Sequence, residues 1–330
     1  MRPLLALLAV LGVAPVHLGS GDDVQPRDTV SIVESVSPEL PEGVRVDVVG
    51  GDAFLRVRSS GHEVEVRGYE DEPYVRIAKD GTVMENRDTQ TWVLSQNRYA
   101  ETTGTLLAGS SGWAEIASNG AALWHDHRIH WMSRSVPVVL DAKGTVQHWK
   151  VPIVVDGTAH TVNGTLYLRS KSSVAWWLLV LPAAGVAALL ALRTRARYHS
   201  WLTWVSAFVT WVGFMQWWDL PSVARITPLL MFFGIASLIT CNVAMTMNNR
   251  RTKDVRNEWM AASLAAGGGA CMLTVTFMTW AQVRAAYVPM LGPDWIARAV
   301  VPLMVGTAVV AVTDGIVRVL RVDPVVQPGA

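Results

Sequence analysis

Apolar and polar residues are laid out in two contrasting ways along this chain. From residue 25 to 172 they alternate; from 174 to 317 long apolar runs follow one another. Alternation with a period of two is the signature of strands with one buried face. "VRVDVVG" (44–50), "AFLRVRS" (53–59) and "HEVEVRGY" (62–69) carry it, separated by the turn-forming "GGD" and "SSG". "YVRIAKDGTVMEN" predicts a hairpin with Asp80-Gly81 in a type I′ turn. "VVLDAKGTVQHWKVPIVVDGTAHTVNGTLYLRS" predicts three or four more strands, with turns at Lys143-Gly144, Asp156-Gly157 and Asn163-Gly164. Pro73 cannot donate to a ladder, so the chain is expected to leave the sheet between Tyr69 and Tyr74. The stretch 95–122, rich in Gly, Ser and Thr, predicts a long irregular loop. Closely spaced strands and short turns imply an all-β, antiparallel sandwich-like domain over 25–172.

The apolar runs cover about 174–192, 201–218, 226–247, 259–283 and 295–317. Lengths near 20 without central charges predict five transmembrane helices forming an all-α domain. The loops on one side would hold Arg193, Arg195, Arg197, Arg250, Arg251, Lys253, Arg256, Arg318 and Arg321, against Arg225, Arg284 and Arg298 on the other. By the positive-inside rule the β domain is then outside and residues 318–330 form a cytoplasmic tail in the plasma membrane. Tryptophans at both ends of the runs, such as Trp176, Trp177, Trp217 and Trp218 against Trp201, Trp204 and Trp259, are the belts expected at the two interfaces. Residues 1–20 start with one positive charge and a short apolar stretch, Leu4–Val13, as a signal peptide does.

Composition narrows the functional classes. Of 330 residues 51% are hydrophobic and only 17% charged, with a net charge of +1, and no basic cluster suits nucleic acid. Cys241 and Cys271 both fall in the apolar half, so the β domain has neither a disulfide framework nor a Cys-type zinc site. Asp314, the one acid within a run, has Arg318 one turn further on and reads as an interfacial ion pair; Asp219 sits at a helix end. No chain of polar residues crosses the apolar half, which argues against an ion-coupled transporter. Cys241, Met245 and Met247, with Met260, Cys271, Met272 and Met278, are soft ligands suited to Cu(I). Depths of about 9 Å for Cys241 and about 18 Å for Cys271 from the same end argue against a shared site. "AAGGGAC" (265–271) supplies a small face for helix packing.

One segment gathers coordinating chemistry. "WHDHRIHWM" (124–132) holds three of the chain's eight histidines. On a strand, His125 and His127 would share a face, their backbones about 7 Å apart, and could converge on one metal ion. His130 would lie on the other face unless a bulge reset the alternation. Further ligands could come from His62, His148 or His160, or from Glu70, Asp71 and Glu72, a donor set suited to copper or zinc. Asp126 and Arg128 could instead pair and leave the segment as architecture. No nucleophile elbow or telling pair of acids accompanies it, so no catalytic residue is assigned and the chain reads as non-enzymatic.

"GYEDEPYVRIAKDGTVMENR" (68–87) together with "WHDHRIHWM" resembles a family of actinobacterial exported multi-pass membrane proteins in which EPYxR…DG…EN and WxDHRxHWM recur. The resemblance covers the signal peptide, the β domain and the first span, and the later spans only in layout. It implies a β-rich exported domain and a loose link to copper handling in the envelope, but no activity. The combined expectation is a bilayer-embedded protein whose exported domain binds a ligand at the cell-envelope face, with copper as a candidate. The alternative is a structural or assembly factor that docks another envelope protein while its helices anchor it.

Overall fold

The computed structural model describes residues 26–96, 98–99, 112–133, 135–221, 225, 228–249 and 255–321. The expected signal peptide and residues 322–330 of the expected tail lie outside them. The chain forms two compact units, Met1–Ser170 with Leu220–Ile226, and Lys171–Asp219 with Thr227–Ala330.

The first unit is an antiparallel β domain. Its strands are β1 (Thr29–Ser37), β2 (Val44–Val49), β3 (Phe54–Ser59), β4 (Val64–Arg67), β5 (Pro73–Ile77), β6 (Val83–Asn86), β7 (Trp113–Ala117), β8 (Ala121–Trp124), β9 (Thr145–Val155) and β10 (Thr158–Leu168). They form a seven-stranded sheet in the order β1-β10-β9-β4-β5-β6-β7 and a three-stranded sheet β2-β3-β8. Leu55, Val57, Ala122 and Trp124 of the small sheet pack with Val64, Val66, Ile77, Val151 and Ile153 of the large one. Alternating apolar residues thus meet face to face and leave water together. Pro73 opens β5 opposite a register shift, where its missing N–H does no harm.

Several turns differ from expectation for local reasons. Of Asp80-Gly81 only Gly81 has a positive φ (91°), whereas a type I′ turn needs both. The Asp80 carboxylate accepts from the Thr82 N–H at 2.9 Å, and Gly81 N–H donates to Ala78, closing a three-residue loop. Asp156-Gly157 does form the two-residue turn, with φ of 45° and 82°. Asn163-Gly164 is no turn but lies inside β10. There a Cβ on Gly164 would stand 2.1 Å from the Trp149 ring and 2.4 Å from the Ile32 carbonyl, so the glycine admits an indole, not a bend. Of the expected long loop 95–122, residues 97 and 100–111 lie outside the described residues; its remainder holds β7 and the start of β8, and a short helix precedes it, α1 (Gln90–Leu94), capped by Thr89.

The second unit is helical. A 3₁₀ segment, Val174–Leu179, leads into α2 (Val180–Arg193). Then come α3 (Arg195–Asp219), α4 (Leu229–Asn248), α5 (Val255–Thr279) and α6 (Asp294–Arg321). Among the described residues four helices are long and apolar enough to cross a bilayer: Val174–Arg193, Leu229–Asn248, Arg256–Val283 and Asp294–Arg321. The chain is therefore a membrane protein. The fifth expected span, α3, is long but less apolar, because Arg195, Arg197, His199, Ser206, Thr210 and Gln216 interrupt it. The last helix continues past 317 to Arg321.

Small residues set the helix contacts, as close packing in lipid requires. A Cβ on Gly213 would meet the Met231 nitrogen at 2.3 Å, and one on Gly234 the Thr210 nitrogen at 2.8 Å. In "AAGGGAC" the packing faces are Gly268, against Cys241, and Gly269, against Ala308 and Ala311, while Gly267 borders open space. Asp314 pairs with Arg318 as expected, at 3.1 Å, and also takes both Nη groups of Arg195 at 2.6 and 2.9 Å.

Candidate functional site

The histidine segment begins where β8 ends, at Trp124, and residues 125–133 form no strand. The expectation that His125 and His127 share a strand face is overturned, and the cause is Asp126. Its carboxylate accepts the Arg128 N–H at 3.0 Å and its carbonyl the Ile129 N–H at 3.0 Å, closing a turn. A short polar side chain that bonds two residues ahead competes directly with the ladder.

Asp126 is fully buried and also holds the Arg128 guanidinium, at 2.8 Å from Nε and 2.7 Å from Nη2, while Trp124 Nε1 donates to it at 3.1 Å. Burial pushes this carboxyl up, but the Arg128 charge and hydrogen bonds outweigh that and hold it below the usual range. Arg128 further donates to the carbonyls of Gly68 (3.3 Å) and Arg67 (3.1 Å) and lies over the Tyr69 ring. Tyr69 in turn accepts the His127 N–H at 2.9 Å. One ion pair thus ties the "GYED" turn to the histidine segment.

The three imidazoles gather at this place. His125 and His130 rings are 6.2 Å apart and His127 and His130 5.1 Å, both edge to face. His125 is buried, stacks on Phe54 at 4.1 Å, and donates from Nδ1 to the Ala53 carbonyl at 2.7 Å. His127 is half-buried and stacks on Tyr69. His130 is buried and donates from Nε2 to the Arg98 carbonyl at 2.8 Å. Its Nδ1 has no partner among the described residues. Burial first, and then the Arg98 charge, push the His130 imidazole down to about 3, so it is neutral at ordinary pH.

The other candidate ligands are placed elsewhere. Glu72 accepts from the Thr91 hydroxyl and the Glu70 N–H, and Glu70 and Asp71 are exposed beside it. His148 bonds to Thr165 across the exposed face of β9. His62 bridges Asp156 and the Glu42 carbonyl, and His160 donates to Pro38. Asp156 lies about 30 Å along β9 from Gln147 at ~3.3 Å per residue, and it is Gln147 that bonds the Arg128 carbonyl. Among the described residues, no group of three His, Cys, Asp or Glu side chains is placed to hold a metal ion.

Sequence reasoning missed a second buried ion cluster. Asp52 is fully buried and receives Arg98 at 3.0 and 2.7 Å, Arg27 at 3.0 Å and the Thr29 hydroxyl at 2.7 Å. Burial raises this carboxyl, but the two arginines hold it below the usual range. The only signal was an aspartate closing "GGD"; Arg98 stood in a stretch without periodicity. A cavity of about 290 Å³ lies beside this cluster, with Arg27, Arg98, Tyr99 and Trp131 in its wall.

No family model, no curated protein and no solved structure matches the chain.

Beyond Trp131 the cavity wall continues through Ser133, Ser135, Val136 and Pro137. From there the chain runs out into solvent. Val136, Val138 and Leu140 are 77%, 76% and 68% exposed, and Val139 is 44% exposed. Val136, Val138 and Val139 make no backbone hydrogen bond among the described residues. The histidine segment, the buried ion clusters and this aliphatic run follow one another at one end of the β domain.

Proposed function

We propose that this is a non-enzymatic envelope protein whose β domain, outside the membrane, docks an extended apolar strand of a partner polypeptide along Val136–Leu140, while the helices anchor it. What supports this is the run of exposed aliphatic side chains, of which Val136, Val138 and Val139 sit on backbone that makes no hydrogen bond among the described residues. Pro137 biases Val136 toward extended backbone, and an incoming strand would satisfy the open N–H and C=O groups. Hydrocarbon would leave those groups unsatisfied, which makes lipid the poorer occupant. The neighbouring cavity offers room for one side chain of the partner. On this reading the histidines are the scaffold of the docking end, in line with their hydrogen bonds to Ala53 and Arg98. A copper or zinc role for His125 and His127 gains no support from the geometry.

The same reading takes α3 as a fifth span and places the C-terminus in the cytoplasm. Ser206 meets Ser237 at 2.9 Å, Thr210 meets Gly234, and Gly213 meets Met231, so α3 runs antiparallel beside α4, itself a candidate span. Four polar groups in the middle of α3 are answered internally: Thr203, Ser206 and Thr210 donate to carbonyls one turn back, and Gln216 donates to Gln282. Satisfied polar groups are tolerated in a bilayer.

The docking reading is tested by a photo-crosslinking residue at Val138 in native membranes. A polypeptide adduct that disappears when Val136→Asp and Leu140→Asp are added is expected. Adducts with lipid alone, or with nothing, would overturn it.

A further inference from the structure

At the end of the helical unit where α2 and α6 terminate, a groove of about 730 Å³ opens between them. Most of its wall belongs to two of the candidate spans, Val174–Arg193 and Asp294–Arg321, with Arg195 added from the start of α3 and Glu258 from α5. One part is apolar, with Ala188, Leu192, Val309 and Val317. The other carries Arg195, Arg318 and Arg321 against Asp314 and Glu258, an excess of one positive charge.

We propose that this groove binds an anionic phospholipid, its acyl chain along the apolar wall and its phosphate at Arg318 and Arg321. The inference does not depend on the docking reading; it needs only that α2 and α6 span the membrane.

The arginines are not equivalent. Arg195 is committed, both Nη groups being taken by Asp314. Arg318 gives only its Nε to the same carboxylate, at 3.1 and 3.2 Å, so both its Nη groups remain without a partner among the described residues. Arg321 makes no hydrogen bond or ion pair among the described residues and is exposed. Two guanidiniums one turn apart therefore present unanswered donors beside an apolar channel. Asp314 orients one of them, and a phosphate is the acceptor that guanidinium geometry matches best.

The depth also fits a lipid rather than a soluble anion. Leu192 and Leu320, close to the arginines in sequence, are 86% and 79% exposed, a surface suited to acyl chains and not to water. Basic pockets between spanning helices are where anionic headgroups are recognised, and the leaflet's own negative charge raises their local supply. Glu258 faces the same groove and would select against a headgroup carrying more than one negative charge.

The test is native mass spectrometry of the full chain released from mixed phosphatidylglycerol and phosphatidylcholine micelles. Wild type should retain one phosphatidylglycerol in at least tenfold preference over phosphatidylcholine. Arg318→Gln with Arg321→Gln should abolish the preference, and the double lysine variant should keep most of it. Ala188→Phe, which blocks the apolar wall and leaves every arginine in place, should expel the lipid from a protein that still folds. Equal retention of both lipids by wild type would overturn the proposal. So would unchanged retention in both the glutamine and the Ala188→Phe variants, or displacement of the lipid by millimolar inorganic phosphate.

Discussion

His130 carries a sharp pH signature because it is buried with Nδ1 unpartnered among the described residues and Arg98 next to it. Its imidazole titrates near 3 in the fold but near 6.5 when unfolded, so between those values the unfolded chain binds the extra proton. Stability is therefore whole above about pH 6.5 and is lost as pH falls, by up to about 1.4 kcal/mol per unit. Thermal unfolding of the detergent-purified protein at pH 7 and pH 4.5 should show this loss. His130→Gln, which keeps a donor for the Arg98 carbonyl and does not titrate, should flatten that part of the profile; an unchanged profile would mean another group is responsible. Asp126 sets a second expectation. Removing it in Asp126→Ala leaves the Arg128 charge in a mostly buried site and should cost about 3–5 kcal/mol. A tryptophan-fluorescence melt of that variant lying within a degree of wild type would contradict this account of the turn. At this scale the sequence was half legible. The crowd of histidines, Asp126 and Arg128 marked a real constellation, but the aspartate that makes the turn also ended the strand that would have aligned His125 with His127. Asp52 and Arg98, 46 positions apart, meet only through the fold, and no local pattern could pair them.

Elements were legible wherever one face was buried and one was not. β2, β3 and β4 fall within the three alternating stretches, because a two-residue period has no other stable use on a half-buried surface. β7 and β8 escaped because their flanks are Gly and Ser, and short strands leave little periodicity to count. Gly164 misled for a physical reason: a glycine can mark a turn or make space, and here it makes space for Trp149. Gly164→Val should accordingly destabilise the β domain by ~3 kcal/mol or more, since the Ile32 carbonyl is backbone and cannot yield as a side chain would. Chemical denaturation read through the Trp149 environment would check it, and a neutral outcome would mean that β1 and β10 can part locally. The matching test in the helical unit is Gly234→Leu. Its side chain would collide with Thr210 and should lower the unfolding temperature measured in detergent by separating α3 from α4.

Across the whole molecule the contrast between alternating and continuous apolar patterns separates a β region from the helical region that follows it, because a bilayer and a water-bathed sheet impose different periods. The count of crossings was harder. Hydropathy finds four among the described residues, since α3 carries polar groups, Ser206 answered by a carbonyl one turn back and Gln216 by Gln282. The number decides where the chain ends: with the β domain outside, five crossings put Arg321 in the cytoplasm, whereas four return it to the outer face. The basic residues cluster on the side that five crossings make cytoplasmic, and α3 lies antiparallel along α4 from Ser200 near Met245 to Gly213 beside Met231. The thirteen steps from Ser200 to Gly213 span about 20 Å at 1.5 Å per residue, most of the hydrocarbon thickness. On the five-crossing reading proposed above, a helix packed that far beside a candidate span crosses with it. Fusing a fluorescent protein that matures only in the cytoplasm after Arg321 should therefore give bright cells, while alkaline phosphatase at the same position stays inactive. Cysteine at Ser118 should react with an impermeant maleimide on whole cells and cysteine at Asn249 should not. Active phosphatase after Arg321, with Ser118→Cys still labelled from outside, would reduce the crossings to four and return α3 to the membrane surface.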